Sequence, residues 1–197
     1  VGSEMCIRDR GILQAIHPAL RWSLALKNTL TILDGRTVAG LQNLSTRNLS
    51  DLKLMLLLYD MDALERIAFA DYYGLTSHRK SIIEDINKIQ EIRSIFKATD
   101  ITNSTLDRNL NGLQELALYT AAIAETPPIA NHIQHYLAVL RHAKPALTGR
   151  DLQAMHIPPG PLYRILLEGL RAAFLDGVVS SVEQQRAWIS QHLRGEE

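Results

Sequence analysis

"ALTGRDLQAMHIPPGPLYRILLEGLRAAFLDG", residues 146–177, sets two helical stretches on either side of a proline-rich joint. Thr148 and Asp151 have the T-x-x-D spacing of a capping box, so a short helix is predicted to begin at "GRDL". It must end near Met155-His156, because Pro158-Pro159 forbid continuation and push Ile157 extended. Gly160-Pro161 then open a long helix, with Pro161 in the first turn where its missing N–H costs nothing. The free amides of that turn are expected to point outward. Such a helix–stiff loop–helix unit can rest its joint on a phosphate, or it can merely fix a crossing angle. The residues alone allow both.

The same helical grammar continues outward from this unit. Residues 11–30 read as helix, with Pro18 at a start or kink. Residues 49–60 follow with Ser50 as N-cap, and 62–74 end at Gly74 as the C′ residue. The clearest amphipathic pattern covers 77–97, where Ile82, Ile86, Ile89 and Phe96 share one face. Further helices are expected at 105–112, 113–125 and 127–143, then at 148–155, 160–176 and 181–194. No run alternates β-branched and polar residues, and no Asn-Gly hairpin turn occurs. The expectation is an all-α, irregular helical array without a sheet. It divides into a helical body, 11–125, and a helical tail, 126–197, with the seam near Thr126-Pro127-Pro128.

Composition narrows the function classes. Lys plus Arg number 21 and Asp plus Glu 21, so the chain is formally neutral and any polyanion binding must be local. The longest apolar run, "LKLMLLLY" (52–59), falls short of the about 18 residues a membrane span needs, so no membrane partner is expected. "VGSEMCIRD" at the N-terminus resembles translated sequencing-library adapter of the kind found at the ends of metagenomic reading frames. Residues 1–10 are therefore left out of the fold. They hold Cys6, the single cysteine. The remainder then has none, which excludes disulfides and cysteine–zinc sites and fits a cytoplasmic protein. The same reading implies that the chain is a fragment.

Catalytic signatures are missing from the sequence. There is no GxSxG, P-loop, GxGxxG or HExxH. Glu84-Asp85 and Asp60/Asp62 are too close in sequence to converge on one helix face, and read as solvated acids. His132, His135 and His142 lie on one predicted stripe with Val139. No acid stands between Glu125 and Asp151 to complete a metal site, and none is expected. That gap makes 126–150 a local positive region, carrying Arg141, Lys144 and Arg150 as fixed cations. Arg164 and Arg171, seven apart on the next helix, can share a face. With the Gly160 helix start, these six residues form the candidate RNA-binding set. The alternative is a helical protein-interaction scaffold with no RNA role.

A resemblance bears on that choice. "YLAVLRHAKPALTGRDLQAMHIPPGPLYRILLEGLRAAFLDGVVSSVEQQRAWI" (136–189) resembles the C-terminal segment of bacterial tRNA nucleotidyltransferases, the CCA-adding, A-adding and poly(A) polymerase-like family. The shared features are L-R-H-x-K-P-x-L-T-G-x-D-L, P-P-G-P and A-x-L-D-G. "GILQAIHPALRW" (11–22) is similar to the family's segment after the neck, and "STLDRNLNGLQELAL" (104–118) to its intermediate helix pair. The resemblance implies an enzyme that transfers CMP or AMP to tRNA 3′ ends with Mg2+ and ATP or CTP, its body and tail holding tRNA. The family's G-[GS]-x-V-R-D loop and D-x-D pair have no counterpart here. Glu84-Asp85 precede Lys88 rather than the arginine of the neck motif E-D-x-x-R. No cofactor site is therefore expected in this chain, and the chain alone is expected to be inactive. Where the family has glycine this chain has His156, at a position predicted to end the short helix with positive φ.

Overall fold

The computed structural model describes residues 12–21, 24–34 and 44–194. The expected adapter segment, 1–10, lies outside them. The described helices are α1 (Ile12–Ile16), α2 (Leu24–Asp34), α3 (Thr46–Leu58), α4 (Ala63–Tyr72), α5 (Ser77–Glu91) and α6 (Asn103–Leu110). They continue with α7 (Glu115–Ala124), α8 (Ile129–His135), α9 (Gly149–Ala154), α10 (Pro161–Leu175) and α11 (Val182–Arg194). A 3-10 turn covers Ile95–Lys97 and a π turn covers Tyr136–Leu140. No strand occurs among the described residues, and the array is all-α. No helix among them is long and apolar enough to cross a membrane.

By contact the chain forms two compact units. One holds the described residues up to Lys97 together with Gly112–Gln134, and the other holds Ala98–Asn111 with the residues from His135 on.

The first unit is organised around α5. Thr76 caps it by accepting from the Arg79 N–H, and Ile82, Ile83, Ile86 and Ile89 are buried along it. The helix stops at Glu91, so Phe96 reaches the core from the separate 3-10 turn instead of extending the predicted stripe. Asp85 is buried rather than solvated. Its carboxylate accepts from the Gln114 N–H at 2.9 Å, just before α7, where a negative charge complements the free amides of the helix start. Lys88 donates to the same carboxylate at 2.9 Å. Asp62 is the N-cap of α4 in a capping box with Glu65. Ser45, not Ser50, caps α3, and the Ser50 hydroxyl donates to the Thr46 carbonyl within that helix. The expected helix 11–30 is interrupted, since Pro18 sits in the turn after α1.

Arg66 on α4 is fully buried without a carboxylate partner. Its Nη1 donates to the Tyr59 carbonyl at 2.6 Å and the Leu58 carbonyl at 3.4 Å, its Nε to Asn87 Oδ1 at 2.9 Å, and its Nη2 to Gln90 Oε1. Leu58 and Tyr59 end α3, so the guanidinium occupies the site where that helix needs donors and favours positive charge. Burial lowers its pKa, and the nearby Tyr59, Asp62 and Asp60 oppose the shift. Beside it, the Tyr59 hydroxyl donates to Glu125 Oε1 at 2.8 Å, and Arg93 pairs with Glu125 Oε2 at 2.9 Å. Burial, then the Glu125 charge, pushes the Tyr59 pKa well above its ordinary value.

The second unit packs Leu147, Leu152, Ile157, Leu166, Leu170, Val179 and Ile189 into one core. Gly169 lies within α10 for a steric reason. A Cβ there would stand 2.7 Å from Trp188 Cη2, so only glycine lets α11 close on α10. The ends of α6 and α10 cap each other. Asp176 accepts from the Ser104 N–H at 2.8 Å and its hydroxyl at 2.6 Å, while Asn103 Nδ2 donates to the Leu175 carbonyl at 2.9 Å.

Replacing Arg66 by methionine keeps the volume and strands several buried acceptors. The expected loss is about 3 kcal/mol of unfolding free energy in urea titration. A loss below about 1 kcal/mol would show that the Arg66 network contributes little.

Candidate nucleic-acid interface

The joint at 146–163 takes its shape from local chemistry. Thr148 is extended at φ −124° and precedes α9, and the Asp151 carboxylate accepts from its N–H and its hydroxyl, each at 2.7 Å. Those two bonds, the hydroxyl first, hold the Asp151 pKa below its ordinary value. Ahead of the helix, buried Gln185 accepts from the Ala146 and Leu147 N–H groups at 2.9 and 3.2 Å.

The helix then ends in a Schellman motif. His156 has φ 62°, and its N–H donates to the Gln153 carbonyl, while the Ile157 N–H reaches back to the Leu152 carbonyl at 3.2 Å. Leu152 and Ile157 are both buried in the same core, the apolar contact that accompanies this motif. The left-handed conformation expected at 156 is therefore present, on a residue with a Cβ.

Past the prolines, Gly160 is extended at φ 170° and Pro161 takes the first position of α10. The Tyr163 N–H donates to the Gly160 carbonyl at 3.0 Å, so this first turn offers fewer outward amides than the sequence suggests. Tyr163 also spans the joint. Its hydroxyl donates to the Ile157 carbonyl at 2.7 Å, and its ring lies against Gly149. Sequence reasoning did not mark Tyr163. Its only signal was a tyrosine placed one turn after a proline pair.

The six candidate RNA-binding residues sit in different settings, all within the second unit. Lys144 and Arg150 are exposed, in the loop before α9 and on its first turn. Arg141 is half-buried where the π turn ends, and Gly160 is exposed at the start of α10. Arg164 is exposed and pairs with Glu168 at 2.7 Å along α10. Arg171 is committed to the framework. Its Nε and Nη2 grip both Asp107 oxygens at 2.6 and 2.7 Å, and it donates to the Ala143 carbonyl at 2.8 Å and the Leu140 carbonyl at 3.4 Å. Hydrogen bonding to Asp107 raises its pKa further. Arg171 thus anchors the turn bearing Arg141 and leads directly into Lys144. Arg164 and Arg171 do share a face, since both line an open cleft of about 560 Å³ between α6 and α10.

The histidine stripe dissolves. The π turn follows His135 directly and contains Val139, and His142 lies beyond it, so the four residues do not share one α-helix. His135 Nε2 meets Asn103 Oδ1 at 3.2 Å. Among the described residues no three His, Cys, Asp or Glu side chains converge as metal ligands would.

Comparison with known proteins adds one finding. The chain is similar to an A-adding tRNA nucleotidyltransferase. That protein, from Geobacter sulfurreducens, is 25% identical over 126 residues, which cover 61% of this chain and 14% of its own length. The chain thus spans only a small part of the relative it matches. No family model matches the chain. No solved structure matches it either.

At His156 the side chain is exposed and the backbone left-handed. His156→Gly is expected to stabilise the fold by about 1 kcal/mol in urea titration, by removing the Cβ penalty. No change, or a loss, would mean that the histidine contributes contacts that offset its strain.

Proposed function

We propose that this chain is a tRNA-holding helical portion of an enzyme that adds nucleotides to tRNA 3′ ends, acting in the cytoplasm. The observation that carries the reading is the similarity to the A-adding tRNA nucleotidyltransferase over 126 residues. The joint supports it. A polyanion needs cations held at fixed spacing, and here Arg150 stands on a capped helix turn while Lys144 follows a turn anchored by Arg171. Arg141 and Arg164 border the same unit, and the exposed start of α10 at Gly160 adds the positive end of a helix dipole.

Mg2+ and ATP or CTP would supply the transfer chemistry of such an enzyme. Five acids among the described residues are already engaged in the framework. Asp85 and Asp176 cap helices, and Asp51, Asp107 and Glu125 pair with arginines. No catalytic step is therefore assigned to these residues, and the reading gives them a holding role. Which nucleotide the whole enzyme would add is not assigned to this portion.

The reading predicts weak tRNA binding with little sequence preference, falling steeply with salt. Each phosphate contact contributes up to about one unit of slope in log affinity against log salt. Replacing Lys144 and Arg150 by alanine should lower both affinity and slope in a filter-binding titration. An unchanged titration would make the joint architectural only. In a separate assay the purified chain should incorporate no labelled ATP or CTP into tRNA, and measurable incorporation would overturn the holding role.

A further inference from the structure

The outward face of α4 is apolar, yet it stands in solvent. Ten large apolar side chains are exposed among the described residues, and five of them gather at this helix. Leu64 is 79% exposed, Tyr72 81% and Ile67 44%, and Ala68 is exposed beside them. Their spacing, i, i+3, i+4 and i+8, is that of a helix stripe packed against a neighbour. The opposite face, with Arg66, Phe69 and Ala70, is already buried in the first unit. Apolar residues scattered singly over a surface are ordinary, whereas a contiguous stripe on a helix already buried on its other side marks a docking surface.

The stripe is braced from below. The buried Phe69 ring packs on Tyr73 with centroids 4.5 Å apart, and Tyr73 meets Tyr72 edge to face at 4.9 Å. The Tyr73 hydroxyl donates to the Ile16 carbonyl at 2.6 Å, which brings exposed Ile16 to the edge of the same surface. A tyrosine held by other rings offers a large contact area with little left to order on docking, as interface anchors do. The charge around the stripe is one-sided. Asp60 and Asp62 are exposed ahead of the helix, Glu65 flanks the stripe, and Asp71, two turns after Leu64, lies within it. Of the cations nearby, Arg66 is buried, and Lys80 on α5 is spent on an exposed pair with Asp71 at 2.6 Å.

We propose that this face of α4 docks a basic amphipathic helix of a partner protein, with its apolar side on Leu64, Ile67 and Tyr72 and its cations against Asp60, Glu65 and Asp71. The charge decides the occupant. A second copy would set the same acids against each other, because a two-fold interface presents one patch to itself. A nucleic acid or an anionic lipid surface would meet carboxylates where it needs cations. A cationic helix answers both the stripe and the acids, and a lysine of its own can take the place of Lys80 beside Asp71. The surface belongs to the first unit and Lys144 and Arg150 to the second, so the proposal stands whether or not those residues hold tRNA.

The test titrates the full chain into a fluorescent synthetic peptide with leucine at the a and d positions of a helix and lysine elsewhere, read by anisotropy. A counterpart with glutamate in place of lysine is the control. The lysine peptide should bind about tenfold more tightly than the glutamate peptide, or better. Leu64→Ser and Tyr72→Ser, at the two most exposed of these positions, should each weaken the lysine peptide about tenfold and leave the circular dichroism and the urea midpoint unchanged. Asp60→Lys combined with Asp71→Lys should turn the preference toward the glutamate peptide. Val178→Ser, an exposed apolar position of the second unit, should change nothing. Absent binding of the lysine peptide, equal binding of both peptides, or equal binding by wild type and the α4 variants would overturn the proposal. So would a dimer in sedimentation velocity that Leu64→Ser dissociates, because a second copy would then occupy the face.

Discussion

Each unit of this chain depends on one arginine placed where a helix runs out of donors. The last carbonyls of a helix have no internal partner, and burying them without one costs more than most side-chain contacts return. Arg66 supplies donors to Leu58 and Tyr59 at the end of α3, and Arg171 supplies them to Leu140 and Ala143 where the π turn ends. A guanidinium suits the task because it presents several N–H groups in a fixed plane and keeps its charge when buried. The two sites answer the charge differently. Arg171 has Asp107 to neutralise it, while Arg66 relies on the neutral oxygens of Asn87 and Gln90 and on carbonyl dipoles.

This device reassigns cations that look alike in the sequence. Arg164 and Arg171 are seven apart and both line the α10 cleft, yet one is in solvent and the other is the floor of the cleft. Lys144 gains its position from Arg171 without touching it, because the carbonyl of the residue before it is held. A rigid support under exposed charge lowers the ordering cost when a polyanion docks, which is where a stiff joint contributes to binding.

Local signals were readable and tertiary ones were not. The T-x-x-D box, the left-handed residue at 156, Pro161 at the head of α10 and the limits of the last three helices follow from interactions within a few residues. The burial of Asp85 was invisible because its partner, the Gln114 N–H, is 29 residues away. The bidentate Arg171–Asp107 pair spans 64 residues, so no spacing rule could announce it. The histidine stripe failed for a geometric reason. The wider π turn at 136–140 breaks the constant period on which that stripe was drawn, leaving Val139 inside the turn and His142 beyond it. In the candidate interface, Thr148, Asp151 and the prolines were legible, whereas Tyr163 and Gln185, which lock the joint, act through contacts that only the fold creates.

The reciprocal caps of α6 and α10 also set an order of events. Ser104 and Asp176 are 72 residues apart, so α6 has only its local Thr102 cap until Asp176 has left the ribosome. The first unit's α7 follows α6 in the chain and, with α8 up to Gln134, packs with helices already made. Synthesis therefore delivers a helix to the second unit, completes the first, and only then supplies the rest of the second. During that interval α6 is an exposed amphipathic segment carrying Leu106 and Leu110, both destined for burial. Its short length and the hydroxyl-rich run Thr102–Thr105 limit its stickiness while it waits, so translation speed through 135–176 governs how long nascent chains are open to aggregation.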